Sequence, residues 1–121
     1  MKTILIVDDA LMIRELLKGL LEPEGYEVFE AADGEAALTM ARQRQFDLCI
    51  IDIFLPRMGG LQVMGELVKL NKHQKIIAIS GGESFNPDTI LELSGIFEVI
   101  ETFTKPIDTG KLLRTVKKAL S

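Results

Sequence analysis

Thr3-Ile4-Leu5-Ile6-Val7-Asp8-Asp9 sets a short apolar run, rich in branched residues, directly against two carboxylates. A strand with one wet face alternates apolar and polar residues, so an uninterrupted run reads as a strand buried on both faces of a parallel sheet. Phe46-Asp47-Leu48-Cys49-Ile50-Ile51 is a second nearly continuous apolar run, and it ends at Asp52. Between them, Ala10 to Leu21 carries Ile13, Leu16, Leu17 and Leu20 at helical spacing, with Asp9 available as N-cap and Pro23 and Gly25 as the stop. Tyr26 to Ala31 alternates as an edge strand, and Asp33 opens a small-residue helix through Ala37, Leu38 and Ala41.

The same alternation continues beyond Asp52. Leu61, Met64, Leu67 and Val68 mark a third helix, and Lys75 to Ile79 a fourth strand that runs into Ser80-Gly81-Gly82. Asn86-Pro87-Asp88 combines a cap, a first-turn proline and a favourable acid, which predicts a helix through Ile90, Leu91 and Leu93. A fifth strand falls within Val99 to Thr104, and Asp108 caps a last helix with Leu112, Leu113, Val116 and Leu120 inward. Five strands alternating with five helices over short connections predict an α/β fold. Its parallel sheet is covered on both faces, doubly wound in the flavodoxin-like order 2-1-3-4-5. Ligands of such sheets sit at the carboxyl ends of strands 1 and 3, where the order reverses.

Composition agrees with a single domain over residues 1–121, with no further output domain expected on this chain. At 47% hydrophobic and 26% charged residues the chain can bury a core without staples. A net charge of −4, with Lys and Arg dispersed, gives no general attraction to nucleic acid or anionic lipid. The N-terminal apolar run is too short for a signal-peptide core, and no run reaches membrane-spanning length. One cysteine, Cys49, excludes an internal disulfide or a cysteine-rich metal site, and the default location is cytoplasmic.

The strand ends carry the chemistry. Asp8-Asp9 follow the first, Asp52 the third, Ser80 the fourth and Lys105-Pro106 the fifth. Three converging carboxylates repel unless they share a cation, and hard oxygen ligands without His or Cys favour Mg²⁺. A hydroxyl and an ammonium on the other side supply what a phosphoryl group needs. No GxxxxGK[ST] or GxGxxG loop is present to hold the rest of a nucleotide. With no histidine at any strand end, the central carboxylate of Asp52 is the candidate nucleophile, forming an acyl phosphate.

Ile6-Val7-Asp8-Asp9, Ile51-Asp52 with Leu55-Pro56 and Gly60 downstream, Ser80 after an apolar strand, and Lys105-Pro106 together resemble the receiver domain of two-component response regulators. The resemblance covers essentially the whole chain. It implies that Asp52 accepts a phosphoryl group from a histidine kinase or a histidine phosphotransfer protein. It also implies that Asp9, Asp52 and the backbone carbonyl of Phe54 ligate Mg²⁺, with Asp8 acting through metal-bound water. Ser80 and Lys105 would contact the phosphoryl oxygens, and the Lys105–Pro106 peptide would be cis. The implied role is a phosphorylation-controlled switch rather than an enzyme, with self-catalysed transfer and autodephosphorylation only. Its output goes to a downstream protein that the sequence does not name. A scaffold that never carries phosphate and a Mg²⁺-dependent phosphohydrolase are the competing readings.

Plainer readings exist for each residue. Asp9 would serve as a helix cap, Ser80 as the start of a glycine-rich turn, and Lys105 as an exposed lysine. His73 reads as a solvated loop residue and Cys49 as a packing residue, with Met12, Met40 and Met64 in core or surface packing. Lys111, Arg114, Lys117 and Lys118 read as one wet helix face. Receivers often carry an aromatic three residues before the lysine, a position occupied here by Thr102, with Phe103 one place later. Strand alternation points Phe103 to the opposite face, so it is no substitute. Phe54 and Gly82 stand where receivers flank the attacking water, and an apolar ring and a glycine there predict slow loss of the phosphoryl group.

Overall fold

A computed structural model describes residues 1–81 and 97–121. Strands β1 (Thr3–Val7), β2 (Glu27–Ala31), β3 (Leu48–Asp52), β4 (Lys75–Ser80) and β5 (Glu98–Thr104) form one parallel sheet in the order β2-β1-β3-β4-β5. Helices α1 (Leu11–Leu21), α2 (Gly34–Gln43), α3 (Gly60–Leu70) and α4 (Thr109–Ala119) connect or follow them. This is the flavodoxin-like, doubly wound arrangement that the alternation predicts. Four helices lie among the described residues, and the one predicted from Asn86 through Leu93 lies outside them, as does Gly82.

The unbroken apolar runs are explained by two cores, one on each face of the sheet. Leu5 and Val7 join Cys49, Ile51, Ile76 and Ala78 against Leu38 of α2 and Val63, Met64 and Leu67 of α3. Ile4 and Ile6 join Leu48, Ile50, Ile77 and Ile79 against Leu17 and Leu21 of α1 and Leu112 and Val116 of α4. Every residue of β1 and β3 is buried, so neither strand has a wet face on which polar residues would alternate. Cys49 packs among these residues, and burial pushes its thiol up to about 12. Met64 is fully buried and Met40 packs at the core margin, whereas Met12 is 81% exposed.

Caps refine the helix starts. Asp33 accepts the amide of Ala36 at 2.8 Å, and Asp108 accepts that of Lys111 at 3.0 Å, as predicted. Asp9 does not cap α1: Ala10 stands at that position, and Asp8 takes the Ala10 amide on its own Oδ1 at 2.8 Å. A cap contributes about 1 kcal/mol, whereas burying each of Leu17 and Leu21 contributes about 1.5–3 kcal/mol, so α1 is held without it. Pro23 lies inside a 3₁₀ turn over Glu22–Glu24, and Gly25 ends that turn at φ 94.

The β4–β5 pairing contains an irregularity that decides which way Phe103 points. Val99 pairs with Ile76 and Glu101 with Ile77, which leaves Ile100 as an extra residue on β5. The insertion reverses side-chain parity. Val99 therefore packs on the α2–α3 core, while Phe103, paired with Ile79, packs in the α1–α4 core. Thr102 pairs with Ala78 and takes the other face, as alternation predicts. No helix among the described residues is long and apolar enough to cross a membrane.

Candidate functional site

Parallel strands bring all their carboxyl ends to one edge, and the predicted site residues meet there. Asp8 directly follows β1, Asp52 is the last residue of β3, Ser80 ends β4, and Lys105 directly follows β5. Asp8, Asp52 and Ser80 are buried, while Asp9 is exposed at the rim. Carboxylate oxygens of Asp8, Asp9 and Asp52 all lie within 4.8 Å of one another.

Lys105 crosses the group. Its Nζ donates to Asp52 Oδ2 at 3.2 Å and to Asp8 Oδ1 at 3.4 Å, and stands 3.1 Å from Asp8 Oδ2. Burial works against the ammonium charge, but the hydrogen bonds and charges of Asp8 and Asp52 outweigh it and hold Lys105 above the ordinary lysine range. Burial raises the Asp8 carboxyl above its usual value, the charge of Asp52 adds to the rise, and the Ala10 amide and Lys105 oppose it. The Lys105–Pro106 peptide is cis. The Lys105 amide donates to Ser80 O at 2.9 Å, which ties the lysine's backbone to the end of β4.

The loop after β3 is equally constrained. The Phe54 amide donates to Asp52 Oδ1 at 2.9 Å and orients the carboxylate, while the Phe54 side chain is 60% exposed. The Gly60 amide closes the loop on Ile53 O at 2.9 Å. A Cβ at Gly60 would run into the Asp52 carbonyl oxygen and lie 2.6 Å from Ile53 Cα, so α3 starts this close to Asp52 only because the residue is glycine.

Two observations test whether a divalent cation fits. Ionised together, three carboxylates and one ammonium leave two negative charges uncompensated. At the outer limit of 4.8 Å a carboxylate pair repels by about 3–4 kcal/mol at an effective dielectric of about 20. Asp8 Oδ2 is also buried without a directed hydrogen bond, despite its approach to Lys105. An all-oxygen donor set with spare charge suits Mg²⁺.

The residues read as plain stay plain. His73 is exposed, with Nδ1 2.8 Å from Glu98 Oε1. Lys111, Lys117 and Lys118 are exposed on α4, where Lys117 pairs with Glu24 at 2.7 Å. Arg14 also reaches the site, though the sequence pattern barely marks it. It donates through Nη1 to Asp8 O at 2.7 Å and through Nε to Glu30 Oε1 at 3.3 Å. Its only sequence signal is a charge at the margin of an apolar helix stripe, one place after Ile13.

Comparison with known proteins adds the family. The family model of the response regulator receiver domain matches residues 4–117. Response regulator GtcR of Aneurinibacillus migulanus is 44% identical over 92 residues, covering 76% of this chain and 37% of its own length. Sporulation initiation phosphotransferase F of Bacillus subtilis is 30% identical over 117 residues, covering 97% of this chain and 92% of its own. The chain thus spans just over a third of one relative and nearly all of the other. Among solved structures, response regulator protein TrrA of Thermotoga maritima in complex with Mg²⁺–BeF superposes with a TM-score of 0.82 at 40% identity. That match covers 99% of this chain and 100% of the other. A chemotaxis protein of Vibrio cholerae superposes at 0.87 with 30% identity, covering 99% of each chain.

Proposed function

From the premise that the chain belongs to the response regulator receiver family, we propose that it is a phosphorylation-controlled switch whose phosphoacceptor is Asp52. The observation that carries this reading is the Asp52 carboxylate itself. It is buried at the central strand end, within 4.8 Å of the Asp8 and Asp9 oxygens, and bonded to Lys105 at 3.2 Å. The donor is a phosphohistidine on a histidine kinase or histidine phosphotransfer protein. An Asp52 oxygen attacks phosphorus, the phosphorus–nitrogen bond breaks, and the imidazole leaves with the electron pair to be reprotonated. The product is an acyl phosphate, and the chain is a phosphoacceptor rather than an enzyme with a separate substrate.

Asp9, Asp52 and the Phe54 carbonyl would hold Mg²⁺, with Asp8 one water removed. Bound there, the ion supplies charge neutralisation for the incoming phosphoryl oxygens. Lys105 pairs with an oxygen of the transferred group, releasing its ammonium from Asp8 and Asp52. Ser80 donates to another from the end of β4. The Phe54 amide keeps the carboxylate oriented for in-line attack.

Exposed Leu11, Met12 and Leu16 on α1, beside the Asp8-Asp9 turn, support docking of a partner's apolar helix face there. Output goes to a downstream protein, and residues 1–121 act as one receiver unit in the cytoplasm. The test is intact-mass measurement after incubation with a small acyl-phosphate donor, with Mg²⁺ and with chelator. One persistent, Mg²⁺-dependent phosphoryl addition supports the switch. No addition supports a scaffold, and repeated phosphate release from a phosphoester incubated in parallel supports a hydrolase.

A further inference from the structure

Arg14 lies outside the acidic cluster and takes no part in the proposed phosphoryl transfer. Its side chain is 14% exposed, which is deep for a guanidinium, and both of its bonds go to fixed points. Nη1 holds the backbone carbonyl of Asp8 at 2.7 Å, and Nε holds Glu30 Oε1 at 3.3 Å. Glu30 sits in β2 paired with Ile6 of β1, so it is anchored by the sheet, and Lys18, one turn along α1 from Arg14, reaches its other oxygen at 3.5 Å.

We infer that Arg14 is a positioning residue for the cation site: braced on Glu30, it fixes the turn from which Asp8 and Asp9 project. This rests on the reading of Asp8, Asp9 and Asp52 as a Mg²⁺ site. The turn needs a brace because its carboxylates repel one another and Asp52. The Asp8 amide is already committed to Ala31 O at 3.1 Å, and the Ala10 amide to Asp8 Oδ1 at 2.8 Å. Arg14 takes the Asp8 carbonyl with a charge-assisted hydrogen bond from a forked donor that a lysine cannot reproduce.

Charge and position predict opposite signs. Removing a cation near a Mg²⁺ site tightens binding if only charge matters, whereas loosening the turn weakens it. The experiment is calorimetric titration of the full chain with MgCl₂, using wild type, Arg14→Gln, Glu30→Gln and Lys18→Gln. Arg14→Gln should weaken Mg²⁺ about tenfold, at the low end of what one charge-assisted hydrogen bond is worth, and Glu30→Gln should weaken it less. Lys18→Gln, which also loses a cation beside Glu30 but makes no contact with the Asp8 carbonyl, should leave affinity unchanged or slightly tighter. Without metal, hydrogen exchange at the Ala10 amide should quicken in Arg14→Gln while the amides of β4 keep their protection. A merely structural role would move thermal stability and leave Mg²⁺ affinity alone.

Equal or tighter Mg²⁺ binding by Arg14→Gln overturns the inference. Should that variant fail to fold, Arg14→Lys, which keeps the charge but loses the fork, carries the same expectation and the same refutation. A wild-type chain that binds no Mg²⁺ overturns the functional reading and this inference with it, and is distinguished from failure of the brace alone, in which wild type and variants bind Mg²⁺ equally.

Discussion

Lys105 is the residue on which the charges of the site balance, since its single ammonium bridges Asp8 and Asp52 at 3.1 and 3.2 Å. Asp8 is already engaged by Lys105 and by the Ala10 amide, whereas Asp9 stands exposed at the rim beside it. Asp9→Asn should therefore cost more Mg²⁺ affinity than Asp8→Asn, because direct ligation loses more than an outer contact, itself worth about 10–100-fold. Calorimetric titration of the two variants checks the order, and the reverse order would assign direct ligation to Asp8. At Gly60 the argument is steric. Gly60→Ala forces a methyl onto the Asp52 carbonyl, so it should destabilise by about 1–3 kcal/mol and slow phosphorylation together, as denaturant melts and transfer rates will show. Asp8, Asp9, Asp52, Ser80 and Lys105 were legible because each sits at the end of an apolar run, where a polar side chain needs a reason. Arg14 was not, because its two partners are a backbone carbonyl and a residue on another strand, and neither leaves a periodic trace in sequence.

Elements were legible in proportion to how fully they are buried. Thr3–Val7 and Leu48–Asp52 are covered on both faces, so their apolar runs have sharp ends. β5 lies at the sheet edge with mixed exposure, and its pattern is broken by the extra residue Ile100, which left its boundaries loose in sequence. The direction of α1 was plain from its apolar spacing, but its cap was not, since the choice of Ala10 over Asp9 depends on Asp8 turning back on its own loop. The bulge makes a paired prediction. Phe103→Ala should cost about 3 kcal/mol or more, because Phe103 is 5% exposed within the α1–α4 core, whereas Ile100→Ala, at 39% exposure, should cost less than about 1 kcal/mol. Urea unfolding of the two variants measures both. Comparable losses would mean that β5 pairs without the bulge.

Across the whole molecule, two cores share one sheet, so opening either face exposes the strands that carry the site. Cys49 reports on that coupling. It is fully buried with its thiol pushed up to about 12, so alkylation of the native protein at neutral pH should proceed at the rate of unfolding, and Mg²⁺ should slow it by stabilising the folded state. Rapid labelling without loss of far-ultraviolet circular dichroism would show instead that the α2–α3 core opens alone. The proposed switch requires one carboxylate, Asp52, to stand where a phosphoryl group can be received and held. The most direct test is peptide-resolved mass spectrometry of wild type and Asp52→Asn after incubation with a phosphohistidine donor and Mg²⁺. A single phosphoryl group should appear, on Asp52 and absent from the variant, and labelling of the variant at the wild-type rate would rule Asp52 out as the phosphoacceptor.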